Sequence, residues 1–377
     1  MTVTDTAGKQ KVTCVICLEE FDWNGREAYR RDDNGPPSHV TLPPRTSARW
    51  APEIQGAVLR CPNEINRVPH YFPVDFVLHE RPIVIGFVGA SRAGKTCLLA
   101  AMSGEIDRQR LGPRGLRTMP VNLTEHNTYR SNVVDPFFEK GIAPPHTRNA
   151  ALVSYADAVL LTTGAGLTFP LVFFDAAGEQ LLGLQKHAMA LRFLHRVDGL
   201  IFVVDPTKIG GEDSRDGVED DELSDATTLD DPTYSATVAG LRFRDKKDGR
   251  LLIPAALAIT KSDRLRFTPP VDRWLSRPVP SAVDRFLFRQ ESQDAYAFLH
   301  QRRATAWLAP VDQFQWCTLH FVSASGSSAV RSGPAGPGEE APPGRFVRPA
   351  RPRRVLEPLV ALLAMIGERD VQYVRGG

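Results

Sequence analysis

The stretch Gly86–Ala100, GFVGASRAGKTCLLA, limits the fold of this chain more than any other part of the sequence. Its centre matches the pattern G-x-x-x-x-G-K-[ST] at Gly89, Gly94, Lys95 and Thr96. An apolar run, PIVIGFVG, precedes the pattern, and a segment with helical spacing, TCLLAAMSGEI, follows it. Backbone N–H groups in such a loop can surround a phosphate, and the positive end of the helix dipole faces the same anion. The stretch therefore predicts a phosphate-binding loop between a buried strand and a helix.

The residues of this loop have distinct chemical roles. Lys95 can reach the β- and γ-phosphates of a nucleotide, and the Thr96 hydroxyl can ligate Mg²⁺. Lys95 is also a candidate catalytic residue, because it can stabilise charge on the phosphates. The loop residues predicted to contact the nucleotide are Gly89, Ala90, Ser91, Arg92, Ala93, Gly94, Lys95, Thr96 and Cys97.

Apolar runs alternate with segments of helical period from Arg81 onward. The runs LTFPLVFFD, DGLIFVVDP, LLIPAALAITKSD and CTLHFVSAS predict further buried strands, and EQLLGLQKHAMALRFLH predicts a helix between two of them. DAVLLTTGAGLTFPLVFFD predicts two strands joined by a Gly-containing turn. This alternation predicts an α/β fold with a doubly wound, mostly parallel sheet.

Clusters of proline, glycine and charge divide the chain. Residues 1–80 hold three of the five cysteines and many turn residues, which predicts a small Cys-containing ribbon module before an α/β domain at 81–370. Two insertions are expected in that domain, an acidic one at 206–250 and a Pro/Gly-rich one at 327–354. The acidic run within the first of them predicts a solvated loop, with a regulatory contact surface as the alternative.

Composition excludes several other classes of protein. A formal net charge of +2 gives no electrostatic reason to expect a nucleic-acid partner or a membrane surface. No apolar run approaches the length that crosses a bilayer, and the polar N-terminus MTVTDTAGKQK does not resemble a signal peptide. Five cysteines, an odd number, fit a reducing compartment, so a cytoplasmic location is expected.

A second motif follows a predicted strand, in FFDAAGEQ. Asp175 ends the strand and Gly178 lies three residues later, which gives D-x-x-G. An acid at the carboxyl end of a strand can hold the Mg²⁺ shell, and a glycine N–H can meet the γ-phosphate. Asp175 and Thr96 are therefore the predicted Mg²⁺ residues.

The segment AITKSD favours one particular base. Thr260, Lys261 and Asp263 fit the pattern [NT]-K-x-D at the end of a predicted strand. Guanine presents N1–H and the exocyclic amine as adjacent donors, and an ionised carboxylate only accepts, so Asp263 can take both. Adenine would place a lone pair opposite that carboxylate, which argues against an ATP-using enzyme. The stem of Lys261 can lie on the base plane, and Thr260 can tie this loop to the phosphate loop.

A short segment after the last predicted strand, VSASG, completes the set. Ser323, Ala324 and Ser325 could place a backbone N–H against guanine O6. The tripeptide has little information by itself. Its position after TKSD and after a strand gives it weight.

In these four motifs and their order, the chain resembles the P-loop GTPases of the translation-factor and Ras-like class, over roughly residues 81–370. Among these it is most similar to the bacterial double-GTPase domains of conflict or signalling systems, through the form D-x-A-G-E and a preceding Cys-rich module. The resemblance implies GTP or GDP with Mg²⁺ as ligands, and an unidentified protein effector or activator as a partner.

The resemblance also implies a threonine that completes Mg²⁺ coordination in the first switch. Thr147, in GIAPPHTRNA, is chosen over Thr124, Thr128 and Thr168, with an ordinary loop threonine as the alternative. Arg148 beside it, like Arg92 in the phosphate loop, could stabilise transferred charge, although a solvated arginine is the more common case.

Ras-like enzymes have Gln directly after D-x-x-G, whereas this chain has Glu179, with Gln180 next. A carboxylate at this position could orient water or act as a base, but its charge also repels the γ-phosphate. Glu179 is therefore a candidate catalytic residue, but a poor substitute for glutamine. Hydrolysis of GTP is expected to be slow or to depend on a partner. The alternative is a GTP-binding scaffold that does not hydrolyse and that docks partners through the ribbon module.

The N-terminal cysteines predict a metal site. Cys14 and Cys17 form a C-x-x-C knuckle, and Cys61 follows in RCPNEINRVPH. The eight ligands and the C-x-H-x-x-H/C core of a RING finger are missing. A single structural zinc ion held by these three thiolates and His70 is the interpretation, with a degraded knuckle without metal as the alternative.

Overall fold

A computed structural model describes residues 10–30, 37–64, 69–90, 92–121, 123–144, 153–176, 188–208, 232–330 and 344–375. Its strands are β1 Gln10–Thr13, β2 Glu20–Trp23, β3 Glu27–Arg30, β4 Ser38–Thr41, β5 Ala57–Arg60, β6 Tyr71–Pro73, β7 Ile83–Val88, β8 Arg117–Pro120, β9 Val153–Thr162, β10 Thr168–Ala176, β11 Gly199–Val204, β12 Lys246–Lys247, β13 Arg250–Leu251, β14 Ala255–Ile259, β15 Cys317–Phe321, β16 Ala329–Val330 and β17 Arg345–Phe346. Its helices are α1 Trp50–Ile54, α2 Lys95–Asp107, α3 Leu123–Tyr129, α4 Asp135–Lys140, α5 Ala188–Arg196, α6 Pro232–Gly240, α7 Val271–Ser276, α8 Arg285–Gln301, α9 Ala309–Gln313 and α10 Glu357–Arg375.

The largest sheet has seven strands in the order β15-β14-β11-β7-β10-β9-β8. Strand β7 pairs in parallel with β10 and β11, and the parallel pairing continues through β14 to β15. Strands β8 and β9 are antiparallel and form one edge. The α/β class and the mostly parallel, doubly wound sheet are thus confirmed, and β9 and β10 are the predicted pair of strands joined by a turn.

The centre of this sheet is the point at which the chain changes direction. Strand β7 lies between β10 on one side and β11 on the other, and both come later in the sequence. Ligands of open α/β sheets bind in the crevice at the carboxyl ends of the strands, next to such a switch point. Because the five consecutive strands from β15 to β10 are parallel, the segments that follow β7, β10, β11, β14 and β15 all lie at this one edge.

Both faces of the sheet are covered by helices. Apolar residues of α2 and α10, such as Leu98 and Leu359, form one core with one face of the sheet. The other core includes Phe193 of α5 and Phe298 of α8. These helices shield the runs that the sequence identified as buried strands, since β7, β11 and β14 are buried along their full length.

The N-terminal part of the described chain is built from small antiparallel sheets. Strands β1 and β2 form a hairpin, and a second sheet has the order β4-β3-β5-β6. Buried residues of this part, including Cys14 and Cys17, belong to the same continuous apolar core as Phe174 and Phe193. The module is therefore packed against the α/β sheet, while its boundary at residue 80 stays a prediction.

The second half of the predicted acidic insertion contributes to the core. Helix α6 buries Tyr234, whose hydroxyl donates to Val203 O at 3.0 Å and whose ring contacts Phe202 with centroids 4.9 Å apart. The strongly acidic segment 211–231 lies outside the described residues. The last part of the Pro/Gly-rich insertion is also ordered, through β17 and the buried Ala350. Composition alone missed these anchors because isolated apolar residues in polar surroundings give no periodic signal.

Gly86, in the middle of β7, provides a test of how closely helix and sheet pack. A Cβ atom at this position would overlap the ring of Phe193 in α5 and approach Leu200. We expect Gly86→Ala to lower the free energy of unfolding by about 1–3 kcal/mol, as overpacked cores do. Urea denaturation measures this change.

Gly112→Ala is the matched control, because no atom lies within 4 Å of a Cβ there. An equal loss of stability in both variants would contradict the close packing of α5 on β7.

Candidate functional site

The predicted phosphate loop lies at the carboxyl end of β7, where the chain turns into α2. Gly94 has φ +96°, a left-handed conformation that residues with a side chain rarely adopt. A Cβ on Gly89 would come within 2.5 Å of Val203 O in β11, so this glycine allows the loop to approach the neighbouring strand. Helix α2 begins at Lys95 and directs its first N–H groups towards the loop. The glycines of the motif are explained by backbone geometry.

The ammonium group of Lys95 folds back over the loop. Its Nζ donates to Gly89 O at 2.7 Å and to Ala90 O at 2.8 Å. A phosphate in this loop would offer anionic oxygens to the same cation, which form stronger hydrogen bonds than neutral carbonyls do.

Thr96 and Asp175 lie next to each other at the same edge of the sheet. Thr96 is in the first turn of α2, which follows β7, and Asp175 is near the end of β10. Thr96 Oγ1 donates to Asp175 Oδ2 at 3.1 Å, and the Asp175 side chain is 5% exposed. Neighbouring oxygens around an octahedral Mg²⁺ ion lie about 2.9 Å apart, given metal–oxygen distances near 2.1 Å. The two oxygens have the chemistry and the spacing that suit a hard divalent cation.

The TKSD segment is fastened directly to the phosphate loop. Thr260 Oγ1 lies 2.7 Å from Ala93 O and 2.8 Å from Val204 O, and it is 2% exposed. Lys261 Nζ donates to Arg92 O at 3.1 Å. The loop after β14 and the loop after β7 therefore form one cradle, in which the first can face a base and the second a phosphate.

Asp263 is held from behind by the serine segment that follows β15. Ser323 Oγ donates to Asp263 Oδ1 at 2.6 Å and accepts from Gly326 N at 3.0 Å. Asp263 is 9% exposed, and it also lines a cavity of about 200 Å³ with Arg266 and Phe267. The carboxylate is thus oriented by a hydrogen bond before any ligand arrives.

Sequence reasoning missed Asp205, which closes β11 as Asp175 closes β10. Asp205 is 3% exposed and forms a short ion pair with Lys261. Its other oxygen accepts from Thr207 N at 3.0 Å and from the Thr207 hydroxyl at 2.6 Å. The available signal was the acid at the end of the apolar run DGLIFVVDP, directly before a proline.

A buried ionic cluster that sequence reasoning also missed braces the serine segment. Glu291 in α8 accepts from Arg354 Nη2 at 2.6 Å, bonds His320 Nδ1 at 2.9 Å and accepts from Phe321 N at 3.0 Å. Next to Arg354, the backbone of Arg353 exchanges two hydrogen bonds with Ser323. Chain segments far apart in sequence therefore hold the residue that orients Asp263.

The charges of this cluster stabilise one another. Burial alone would raise the pKa of Glu291, but the neighbouring His320 and Arg354 outweigh it, so the pKa lies below its ordinary value. A lowered pKa in the folded state means that the stabilisation is present above the ordinary carboxyl pKa. It is lost as the pH falls through the folded-state pKa.

Four predicted residues lie outside the described residues: Ser91, Thr147, Gly178 and Glu179. Thr168, a rejected alternative to Thr147, begins β10, seven residues before Asp175. At about 3.3 Å per residue, Thr168 lies roughly 23 Å from Asp175 along the strand, so it does not reach the edge of the sheet at which Asp175 lies.

The described residues contain a cluster with the chemistry of a metal site: Cys14, Cys17, Cys61 and His70. Their candidate ligand atoms all lie within 4.8 Å of one another, and Cys17 Sγ is 3.6 Å from Cys61 Sγ. Cys14 Sγ is 3.2 Å from His70 Nε2. Thiolates on a tetrahedral zinc ion are about 3.8 Å apart, so the spacing fits. The same residues that the sequence suggested are brought together.

The thiols of this cluster differ in acidity. Burial raises the pKa of Cys14, whereas hydrogen bonds from Cys14 and Cys61 lower the pKa of Cys17. For His70, burial works to lower the pKa, but hydrogen bonds and charge from Cys17 and Cys61 raise it to about 9. A metal ion on this cluster would replace the protons of the thiols and of the imidazole, so its binding would depend on pH.

Comparison with known proteins gives limited similarity. No family model matches the chain. A curated relative in Mycolicibacterium smegmatis, named "Putative ESX-1 scaffolding and assembly protein SaeC", is 26% identical over 198 residues. The match covers 51% of this chain and 47% of the relative, so the chain spans about half the length of the relative it matches.

Solved structures resemble the chain only loosely. The small GTPase Sar1 from Encephalitozoon cuniculi in complex with GDP has 14% identity and a TM-score of 0.33, over 79% of this chain and 86% of that one. The SRb-GTP/SRX complex from Chaetomium thermophilum has 14% identity and a TM-score of 0.29, over 67% and 93%. Bacterial EF-Sec has 15% identity and a TM-score of 0.28, over 65% and 26%. At these scores the overlays support no conclusion, and the fold class stands on the strand order above.

Across the described residues, no helix has the length and apolar character needed to cross a bilayer.

The Glu291 cluster provides a test of stability. We expect Glu291→Gln to lower the free energy of unfolding by about 3 kcal/mol, because Arg354 would remain buried opposite a neutral amide. Urea denaturation at pH 7 measures the loss, and the difference from the native chain should shrink as the pH falls through the Glu291 pKa.

Glu53→Gln is the control, since Glu53 pairs with Arg30 at 2.7 Å in an exposed position. Exposed pairs contribute about 0–1 kcal/mol. Equal effects in the two variants would contradict the role of the buried cluster.

Proposed function

We propose that the protein binds GTP with Mg²⁺ and acts as a nucleotide-dependent switch. The observation that carries this proposal is the pair of hydrogen bonds from Thr260 and Lys261 to the phosphate loop at Ala93 and Arg92. They fix the distance between a base-recognising carboxylate and a phosphate-binding loop. A nucleotide has its base and its phosphates at opposite ends, so one ligand can engage both.

Base selection would come from Asp263. An ionised carboxylate accepts hydrogen bonds and cannot donate, so it favours the paired donors of guanine. Ser323 donates to one oxygen at 2.6 Å, which orients the carboxylate and leaves the other oxygen for the base. Lys261 would place its stem along the base plane, steadied by Asp205 and by Arg92 O.

Phosphate binding would be the task of Lys95, with the N–H groups of the loop. Its ammonium would exchange the carbonyls of Gly89 and Ala90 for phosphate oxygens. Thr96 and Asp175 would hold Mg²⁺, which supplies positive charge where negative charge accumulates on the phosphates. Binding that depends on the γ-phosphate would then shift the populations of two conformations.

Hydrolysis is proposed to be slow or to depend on a partner. Glu179 stands where the resemblance implies a water-orienting glutamine, and its charge opposes that of the γ-phosphate. A partner that supplies a cation would offset this repulsion.

A second candidate function is a GTP-binding scaffold without turnover. Glu179 favours it, and so does the name of the relative in M. smegmatis, which describes scaffolding and assembly. Under this alternative the nucleotide would stabilise a docking surface and would not be consumed.

Phosphate release separates the two candidates. We expect release from GTP above the level of Lys95→Ala, which removes the cation at the phosphate loop. Release equal to that of the variant, with GTP still bound to the native chain, would establish the scaffold. Competition of labelled GTP by excess ATP, measured beside it, tests the choice of base.

Base choice has its own prediction. Asp263→Asn should shift the preference from guanine towards xanthine, because an amide can donate to the carbonyl of xanthine. The ratio of dissociation constants for GTP and xanthosine triphosphate is the measurement, and we expect it to change by about 10-fold or more, which is 1.4 kcal/mol.

Asp248→Asn is the matched control, since Asp248 is an exposed residue in the turn between β12 and β13. An unchanged ratio in Asp263→Asn would refute the proposed base recognition.

We also infer that Cys14, Cys17, Cys61 and His70 hold a structural zinc ion. Three sulfur ligands and one imidazole form a closed tetrahedral set, which leaves no position for substrate. The ion would supply cross-links between the knuckle after β1 and the segment after β5.

Elemental analysis tests this inference. We expect about one zinc per chain after purification without chelator, and a loss of most of it in Cys61→Ser. Cys317→Ser is the control, because Cys317 lies in β15 outside the cluster. Native chain that contains no zinc, and gains none on reconstitution, would contradict the inference.

A further inference from the structure

Helix α5 contacts both the cysteine cluster's module and the strands of the nucleotide site. Its Phe193 is fully buried and lies against Gly86 and the ring of Phe174, with ring centroids 5.7 Å apart. On the same helix, Arg192 forms an ion pair with Glu19 at 2.9 Å, and Arg196 forms one with Glu20 at 2.9 Å.

The inward contacts of α5 are with strands that end at the predicted site. Gly86 precedes Gly89 by three residues in the strand that leads to the phosphate loop, and Phe174 directly precedes Asp175. The missing side chain of Gly86 makes the space that the Phe193 ring fills. Cores pack densely and transmit displacement, so the position of α5 and the position of these strand ends depend on each other.

The outward contacts of α5 are with the metal-binding turn. Cys14 O accepts from Leu18 N at 2.8 Å, and Cys14 N donates to Glu19 O at 2.8 Å. The turn that carries Cys14 and Cys17 therefore also sets the position of Glu19. A metal ion on Cys14 and Cys17 would fix this turn, and with it the carboxylates that hold α5.

Two ion pairs bridge the turn and the helix, next to the apolar core that the N-terminal part shares with the sheet. A cavity of about 400 Å³ lies between them, lined by Leu18, Glu19, Glu20, Arg192, His195 and Arg196. Both ion pairs are partly exposed. Partly exposed ion pairs of this kind can form or break with a small shift of the helix.

We propose that the Cys14, Cys17, Cys61 and His70 centre is an effector site for the nucleotide site, with a thiolate-preferring divalent cation, Zn²⁺, as its ligand. The cation at this centre strengthens nucleotide binding by holding α5 against β7 and β10. By thermodynamic reciprocity, bound nucleotide slows the loss of the metal. This inference rests on the proposed guanine-nucleotide function.

The experiment compares full-length protein loaded with zinc and stripped by a chelator. Each form is titrated with a fluorescent GTP analogue, and zinc release to a chromogenic chelator is timed with and without a non-hydrolysable GTP analogue. We expect zinc to tighten nucleotide binding about fivefold, the lower end of typical couplings between sites, and bound nucleotide to slow zinc release.

Variants identify the route of the coupling. Arg192→Ala with Arg196→Ala should bring the zinc-dependent ratio of affinities close to one, while zinc and nucleotide still bind. The charge exchange Glu19→Arg with Arg192→Glu should restore part of the ratio. Arg30→Ala is the matched control, because Arg30 pairs with Glu53 inside the N-terminal module, and it should leave the ratio unchanged.

The outcomes distinguish this inference from the function on which it rests. If the zinc-loaded chain binds no guanine nucleotide, both are overturned. If it binds GTP with the same affinity with and without zinc, the effector site alone is overturned. If the chain retains no zinc, the effector site and the structural zinc ion are both overturned. If the ratio survives loss of both arginines, the effector site alone is overturned. A coupling that the arginine variant abolishes and the charge exchange restores supports the proposal.

Discussion

The attachment of the TKSD segment, the proposed base-recognition segment, to the proposed phosphate loop is the constraint on which the rest of the site depends. Thr260 makes it, by donating from a buried position to the backbone of a loop 167 residues earlier in the chain. A hydroxyl so deeply buried needs its hydrogen bond, because an unpaired one costs about 1–3 kcal/mol. The parallel sheet makes the contact possible, since it brings the carboxyl ends of β7 and β14 to the same edge.

A second layer of contacts supports this arrangement from outside the site. Glu291 and Arg354 neutralise each other within the core, His320 bonds the same carboxylate, and the backbone beside Arg354 pairs with Ser323. Replacing such a cluster by apolar residues can be neutral for stability. We therefore infer that this cluster serves to position neighbouring residues. The residue it positions is the one that orients Asp263. The base specificity proposed for the site therefore depends on the packing of α8 and on the segment that precedes α10.

Much of the fold could be predicted because its signals are local. Continuous runs such as PIVIGFVG can only be buried strands or buried helix segments, and the flanking glycines decide in favour of strands. The acidic insertion was predicted less accurately, because its α6 packs into the core through Tyr234 and Thr237. These two residues produce no periodic pattern in the sequence. The antiparallel edge strand β8 was missed for a similar reason, because RTMP is short and half polar.

The sequence by itself determined the residue types on which the proposed function depends: a loop suited to phosphate, a carboxylate suited to guanine, and thiols suited to a soft metal. These follow from residue type and spacing, which the linear order preserves. Only the tertiary structure decided which distant groups support them, such as Asp205 behind Lys261, Arg354 behind Glu291, and α5 between the cysteine turn and β7. The reason is physical. Two side chains that are far apart in the sequence meet only where helices and strands pack together, and chains with the same motif can pack in ways that give it different partners.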